Sequence, residues 1–362
     1  MLEHIRRAGV DVQIIAPLRR DFKYMFLAHK AVGRLTGRGV QIDRHPLALR
    51  SYGRQIGRQL AQSKVDAVFA PSSIPVSALE TRTPILFWTD AVIDSMCDYY
   101  PGAFARMGAR NLDVARNQEQ AALEKSKFAI YASEWAANSV RKNYKVNGER
   151  IQVIPFGANL PIRHSRPDVS HFVEQRLARQ CRLLFIGADW ERKGGPIALE
   201  TVEILNRRGV PATLTIVGTE APDSRFVERL GFISKSTIAG QQRLSDLLQS
   251  STFFLLPTRA EAAGIVFCEA SAFGLPIMAT DTGGVGTYVA DGSNGLLLPT
   301  HACARDYADG IERLWKDRSL YRKLSLNGFD EYQRRLNWDV AIQRLLQLVQ
   351  TAVAEKSTSG RN

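Results

Sequence analysis

No two of the four cysteines, Cys97, Cys181, Cys268 and Cys303, stand in a CxxC, and none has a histidine at ligand spacing. Neither a disulfide framework nor a zinc site is supported, and a reducing, cytoplasmic compartment is the expectation. No apolar run reaches the ~18 residues that a membrane span needs. The opening Met1–Arg7 is amphipathic and lacks the apolar stretch of a secretory signal. Acids are scarce between Arg19 and Arg58, where ten Lys/Arg face only Asp21 and Asp43. With a net charge of +12 over the chain, this stretch reads as a solvated basic helix pair or as peripheral contact with an anionic membrane at its inner face. Nucleic acid ranks third, because no recognised nucleic-acid motif accompanies the charge.

What is present is ordinary globular material. A hydrophobic fraction of 45% and a charged fraction of 23% exclude disorder, and 362 residues suggest two or three domains. Short apolar segments alternate with amphipathic ones in both halves. Strands are expected at Val12–Ala16, Ala67–Ala70, Ile85–Trp88, Ala129–Ala132 and Ile151–Pro155. A second set is expected at Leu183–Gly187, Thr213–Gly218, Phe253–Pro257 and Ile277–Thr280. Continuous apolar strands separated by helices argue parallel sheets covered on both faces. The expected fold class is α/β, with two doubly wound Rossmann-like domains. The first runs over 1–160 and the second over 161–330, with a final helix over 331–353 packing back on the first. The chain opens inside a helix that exits at Gly9, so Val12–Ala16 reads as a second strand and the usual opening strand is expected to be missing.

The chemistry concentrates at Pro257–Ala270. A strand ends, a short loop carries Glu261, and an apolar helix begins near Gly264 with Glu269 inside it. A carboxylate buried among apolar residues needs partners, and a ligand's hydroxyl pair would be one. The amides of Ala263, Gly264 and Ile265 at a helix start suit phosphate oxygens. The plainer alternative makes Glu261 a loop acid and Glu269 a structural ion-pair partner. Arg192 and Lys193 follow a strand and precede a helix, which would gather cations around a diphosphate or make a solvated basic turn. Gly187 and Gly218 end strands where a side chain would block a ligand, or they are ordinary turn glycines. The backbone of Gly231, Phe232 and Ile233 could meet a base edge or form a plain edge strand. This half carries no GxGxxG fingerprint, so a nicotinamide dehydrogenase is unsupported. Asp90 follows a strand's carboxyl end and could hold an acceptor hydroxyl or cap the next helix. Trp88, Tyr99, Tyr100 and Trp135 could stack on sugars, although core packing explains them as well.

Together these segments resemble the retaining glycosyltransferases of family 4, of the two-Rossmann-domain (GT-B) type. Glu261 and Glu269 match the family's E-x7-E motif, and Leu184–Gly195 resembles the strand and loop carrying its Arg/Lys pair. Ile216–Gly218, Leu230–Ile233, Thr282–Val285 and Asp291–Gly295 resemble further segments in the family's order. Ser133–Trp135 and Val153–Gly157 resemble the end of its first domain. The resemblance implies two domains facing each other across a cleft. It also implies transfer of a sugar from a nucleotide-diphospho-sugar to a saccharide or lipid-linked acceptor hydroxyl, with retained configuration and without metal or cofactor. Glu269 would hold the ribose, Arg192 and Lys193 the diphosphate, and Glu261 the sugar, with Asp90 on the acceptor side. The missing opening strand, whose Gly-rich loop serves the family's donor and acceptor, keeps a second expectation open, a truncated or non-catalytic accessory protein.

Overall fold

The computed structural model describes residues 1–19, 42–97, 99–100 and 107–359. The chain divides into two compact units, Met1–Ile154 with Ile342–Asn362, and Pro155–Ala341. These divisions fall at 154 and 341, where the sequence pattern suggests 160 and 330. The segment after residue 154 joins the second unit because its backbone is bonded there: Ala158 N donates to Leu336 O (3.3 Å), and a Cβ on Gly157 would lie 2.2 Å from Trp338 N.

In chain order the first unit contains α1 (Leu2–Arg7), α2 (Pro46–Leu60), β1 (Val68–Ala70), β2 (Ile85–Thr89), α3 (Ile93–Cys97), α4 (Ala109–Lys125), β3 (Phe128–Tyr131), α5 (Glu134–Asn143) and β4 (Ile151–Val153). The strands form one parallel sheet in the order β1-β2-β3-β4. Leu86, Phe87, Ile130 and Tyr131 are wholly buried, as a sheet covered on both faces requires. The Ser133 hydroxyl accepts from Ala136 N and starts α5. Residues 12–16 are not a strand. They find no ladder partner among the described residues, and an apolar pattern makes a strand only where a neighbouring edge receives it. Of the basic stretch, residues 20–41 lie outside the described residues. Arg44 is not a surface charge, since it donates to buried Glu119 at 2.8 Å. Arg50, Arg54 and Arg58 stand exposed on α2.

The second unit contains α6 (Arg166–Leu177), β5 (Cys181–Ile186), α7 (Gly195–Arg207), β6 (Ala212–Val217), β7 (Val227–Arg229), α8 (Ile238–Ser250), β8 (Phe253–Leu256), α9 (Ile265–Ala272), β9 (Ile277–Thr280), α10 (Val285–Tyr288), β10 (Gly295–Leu298), α11 (Ala304–Lys316) and α12 (Arg318–Arg335). The last helix, α13 (Trp338–Ser359), starts in this unit and ends in the first. Six parallel strands lie in the order β10-β9-β8-β5-β6-β7. All four residues of β8, Phe253 to Leu256, are fully buried, each worth about 1.5–3 kcal/mol of burial. The strand order reverses between β5 and β8. In open parallel sheets, ligands bind beyond the carboxyl ends of the strands at such a reversal.

Candidate active site

The loops after β5 and β8 leave the sheet at this reversal and are tied together. Asp189 accepts from Arg192 N (3.0 Å) and Arg192 Nε (3.2 Å), which curls the first loop. Arg192 Nη1 then donates to Ala260 O (2.9 Å), and Arg259 N donates back to Arg192 O (2.8 Å). Arg192 is therefore engaged in joining the loops rather than standing as a solvated turn. Lys193 Nζ donates to Glu261 Oε2 in a salt bridge whose side chains are both largely buried. Two residues expected to serve different parts of one ligand thus stand in direct contact.

Each loop enters its helix through a glycine with left-handed backbone, Gly194 before α7 and Gly264 before α9, both with φ 77°. A Cβ on Gly194 would lie 1.9 Å from Pro257 O, and one on Gly264 would meet the Phe267 ring at 2.5 Å and Glu261 Cγ at 3.2 Å. Ala263 is buried beside Gly264, and Ile265 is the first residue of α9. The N–H groups of a helix's first turn lack intrahelical partners, and the start of α9 offers them at Ile265 and Val266. At the start of α7, Gly195 N already donates to Trp190 O (2.8 Å) and Pro196 has no N–H.

Glu269 lies one turn into α9 and is 1% exposed. Lys235 Nζ contacts both of its oxygens at 2.6 Å, and Asn159 N donates to Oε1 at 3.2 Å. Burial pushes the Glu269 carboxyl up, the Lys235 ammonium and the Asn159 N–H pull it down, and the net shift is upward. Neither Lys235 nor Asn159 was expected at this site from sequence.

Gly187 and Gly218 adjoin at the ends of β5 and β6. Gly187 N donates to Val217 O (2.9 Å), and a Cβ on Gly218 would lie 3.0 Å from Gly187 O. Gly218 N in turn donates to Gly231 O at 2.8 Å. Residues 230–233 are not an edge strand, because β7 ends at Arg229 and the backbone turns at Gly231 (φ 61°). Phe232 is consequently 83% exposed and Ile233 partly buried.

Asp90 belongs to the first unit, exposed and immediately past β2. The next helix, α3, begins three residues later, at Ile93. Trp88 is core, with its indole N–H on Ile154 O at 3.1 Å, and Tyr99 packs on Trp135 with ring centroids 4.7 Å apart. Among the described residues no three His, Cys, Asp or Glu side chains come together as a metal-holding group.

Two parallel-sheet α/β units, one with loops gathered at the strand-order reversal, define the GT-B class of fold. Solved structures agree. Sucrose-phosphate synthase from Thermosynechococcus elongatus superposes with a TM-score of 0.65 at 20% identity, covering 85% of this chain and 79% of its own. HepE of Anabaena, solved with UDP and glucose, gives 0.61 at 17% identity over 96% of this chain and 88% of its own. Residues 1–160 match Glycosyltransferase Family 4, and residues 180–317 match Glycosyl transferases group 1. The D-inositol 3-phosphate glycosyltransferase of Acidothermus cellulolyticus is 30% identical over 234 residues, 60% of this chain and 51% of the relative. The lipopolysaccharide glucosyltransferase WaaG of Escherichia coli is 30% identical over 167 residues, 44% of this chain and 45% of WaaG. The chain thus spans about half the length of these curated relatives. It belongs to the family 4 glycosyltransferases.

Proposed function

We propose that the protein transfers a sugar from a nucleotide-diphospho-sugar to an acceptor hydroxyl in glycan, glycolipid or polysaccharide synthesis, with retained anomeric configuration. The observation that carries this reading is the meeting of Lys193 with Glu261 at the β5/β8 reversal, between two helix starts. Breaking the bond between the anomeric carbon and the diphosphate leaves negative charge on the phosphate oxygens. A cation and preorganised N–H groups at that point stabilise the charge as it develops. Lys193 and Arg192 are assigned to the diphosphate, Glu261 to sugar hydroxyls and Glu269 to the ribose. The amides of 263–265 face the departing group, and Gly187 and Gly218 keep backbone, not side chains, beneath it. On this reading the acceptor oxygen bonds the anomeric carbon on the face that the diphosphate leaves. The acceptor proton passes to the departing phosphate oxygen, so no carboxylate need form a covalent intermediate. Asp90 is the residue assigned to the acceptor hydroxyl.

The test is a thermal-shift screen against UDP-, GDP- and ADP-sugars, followed by NMR of the product formed from the stabilising donor. A ligand bound to the folded state raises the melting temperature by mass action. One donor family is expected to do so, and the transferred or hydrolysed sugar is expected to keep its anomeric form first. Inverted product overturns the retaining assignment, and no response to any nucleotide-sugar overturns the donor.

A further inference from the structure

We infer that Lys235 and Glu269 read the vicinal hydroxyls of a nucleoside ribose as a donor–acceptor couple, Lys235 giving an N–H and Glu269 taking one on Oε2. The inference rests on the glycosyl-transfer reading and adds to it a positioning and binding residue outside the family motif.

The argument is a count of hydrogen-bonding capacity. A carboxylate offers about four lone-pair sites, two on each oxygen. On Glu269, Lys235 takes one on each oxygen and Asn159 N takes a second on Oε1. Among the described residues one site remains, on Oε2. Two ribose hydroxyls both donating to the carboxylate would need two. An ammonium carries a third N–H beyond the two that Lys235 spends on Glu269. One hydroxyl can therefore donate to Oε2 while its neighbour accepts from Nζ, with no existing bond broken. The Lys235 side chain is 32% exposed against 1% for Glu269, so a ligand meets the lysine first and reaches Oε2 past it. The lysine is also held in place. Its carbonyl accepts from Gln241 Nε2 at 2.8 Å, and Ser234 O lies where a Cβ on Gly240 would be, at 2.0 Å. Phe232 stands exposed three positions earlier in the same loop.

The test measures dissociation constants by calorimetry for UDP, GDP and ADP, then for the 2′-deoxy and 3′-deoxy forms of whichever binds. The proteins are wild type, Lys235→Met and Lys235→Arg. In wild type each missing hydroxyl is expected to weaken binding roughly tenfold, the scale of one hydrogen bond to a charged group. In Lys235→Met the parent nucleotide is expected to bind about tenfold more weakly, with one of the two deoxy penalties gone. Lys235→Arg restores that penalty at least in part. A merely structural lysine would weaken all three ligands equally and leave both penalties in place, and that result overturns the inference alone. Failure of wild type to bind any of the three diphosphates overturns the glycosyl-transfer reading and this inference together. A thermal melt verifies that each variant folds.

Discussion

At the scale of single residues the site holds two carboxylates in opposite circumstances. Glu261 shares Lys193 at the mouth of two loops, whereas Glu269 is shut inside an apolar helix with one lysine above it. For Glu269, burial outweighs its partners and the carboxyl is raised from 4.5. A group with a raised folded-state pKa stabilises the fold fully below its unfolded value, and this contribution is lost as pH rises through the folded one. Glu269→Gln removes that loss. Its melting temperature is therefore expected to fall less at neutral pH than at pH 4, while nucleotide binding weakens at least tenfold. Thermal melts across pH with calorimetry at pH 7.5 check both, and a variant that binds as wild type does would remove Glu269 from the ribose. Lys193→Met should lower kcat roughly a hundred- to a thousandfold, the scale of one lost oxyanion donor. Steady-state kinetics with the identified donor measure it, and a change confined to KM would mean that Lys193 binds the ground state only.

At the scale of elements, the glycines before α7 and α9 fix the directions in which the two helices leave the sheet. Gly264→Ala must hold a side chain at φ 77° and move both the Phe267 ring and Glu261. A left-handed non-glycine residue alone costs of order 1–3 kcal/mol. Denaturant titration is expected to show that loss together with much reduced transfer, and full activity would mean that the loop tolerates displacement of Glu261. A second element boundary depends on one side chain. Asn337 Nδ2 donates to Tyr332 O (2.8 Å) and Gln333 O (2.9 Å), closing α12, while its Oδ1 accepts from Val340 N (2.9 Å), opening α13. Asn337→Ala should cost about 1–2 kcal/mol, the cap effect at the upper end because two helices lose a partner. Denaturant midpoints read it directly.

These same elements show what the sequence could disclose. The strand and helix of the E-x7-E segment were legible because apolar continuity and a glycine–proline stop are local features. So was the burial of Glu269, since apart from Ser271 its helix is apolar. Lys235 was not legible. It sits between two serines in a polar loop, and only the fold carries that loop over α9. Asn159 acts through its backbone N–H, to which its side chain gives no clue. Residues 12–16 carry the right apolar pattern, but pairing depends on a neighbour that pattern does not supply. The helix expected at 331–353 hid the Asn337 break, because apolar residues stand on both sides of it, Leu336 before and Trp338 after.

At the scale of the whole molecule the dominant quantity is a net charge of +12. Among the described residues no helix is long and apolar enough to cross a membrane. Part of the basic sequence is spent internally, as Arg44 is on Glu119. Arg50, Arg54 and Arg58 are not, and their spacing of four sets them along one face of α2, opposite buried Leu49, Tyr52 and Ile56. Such a stripe near an anionic bilayer gains about 1 kcal/mol per arginine, and the gain decays within a Debye length of ~10 Å at 0.1 M salt. Wild type is therefore expected to co-sediment with phosphatidylglycerol vesicles at low salt, to dissociate as salt rises, and to ignore phosphatidylcholine. Replacing all three arginines by glutamine removes about 3 kcal/mol on that scale, which is roughly a hundredfold drop in vesicle partition. The stripe is exposed on the first unit and the residues assigned to the donor belong to the second, so soluble-acceptor activity should persist in the variant. Equal sedimentation of the triple variant and wild type would reduce the stripe to a solvated helix face.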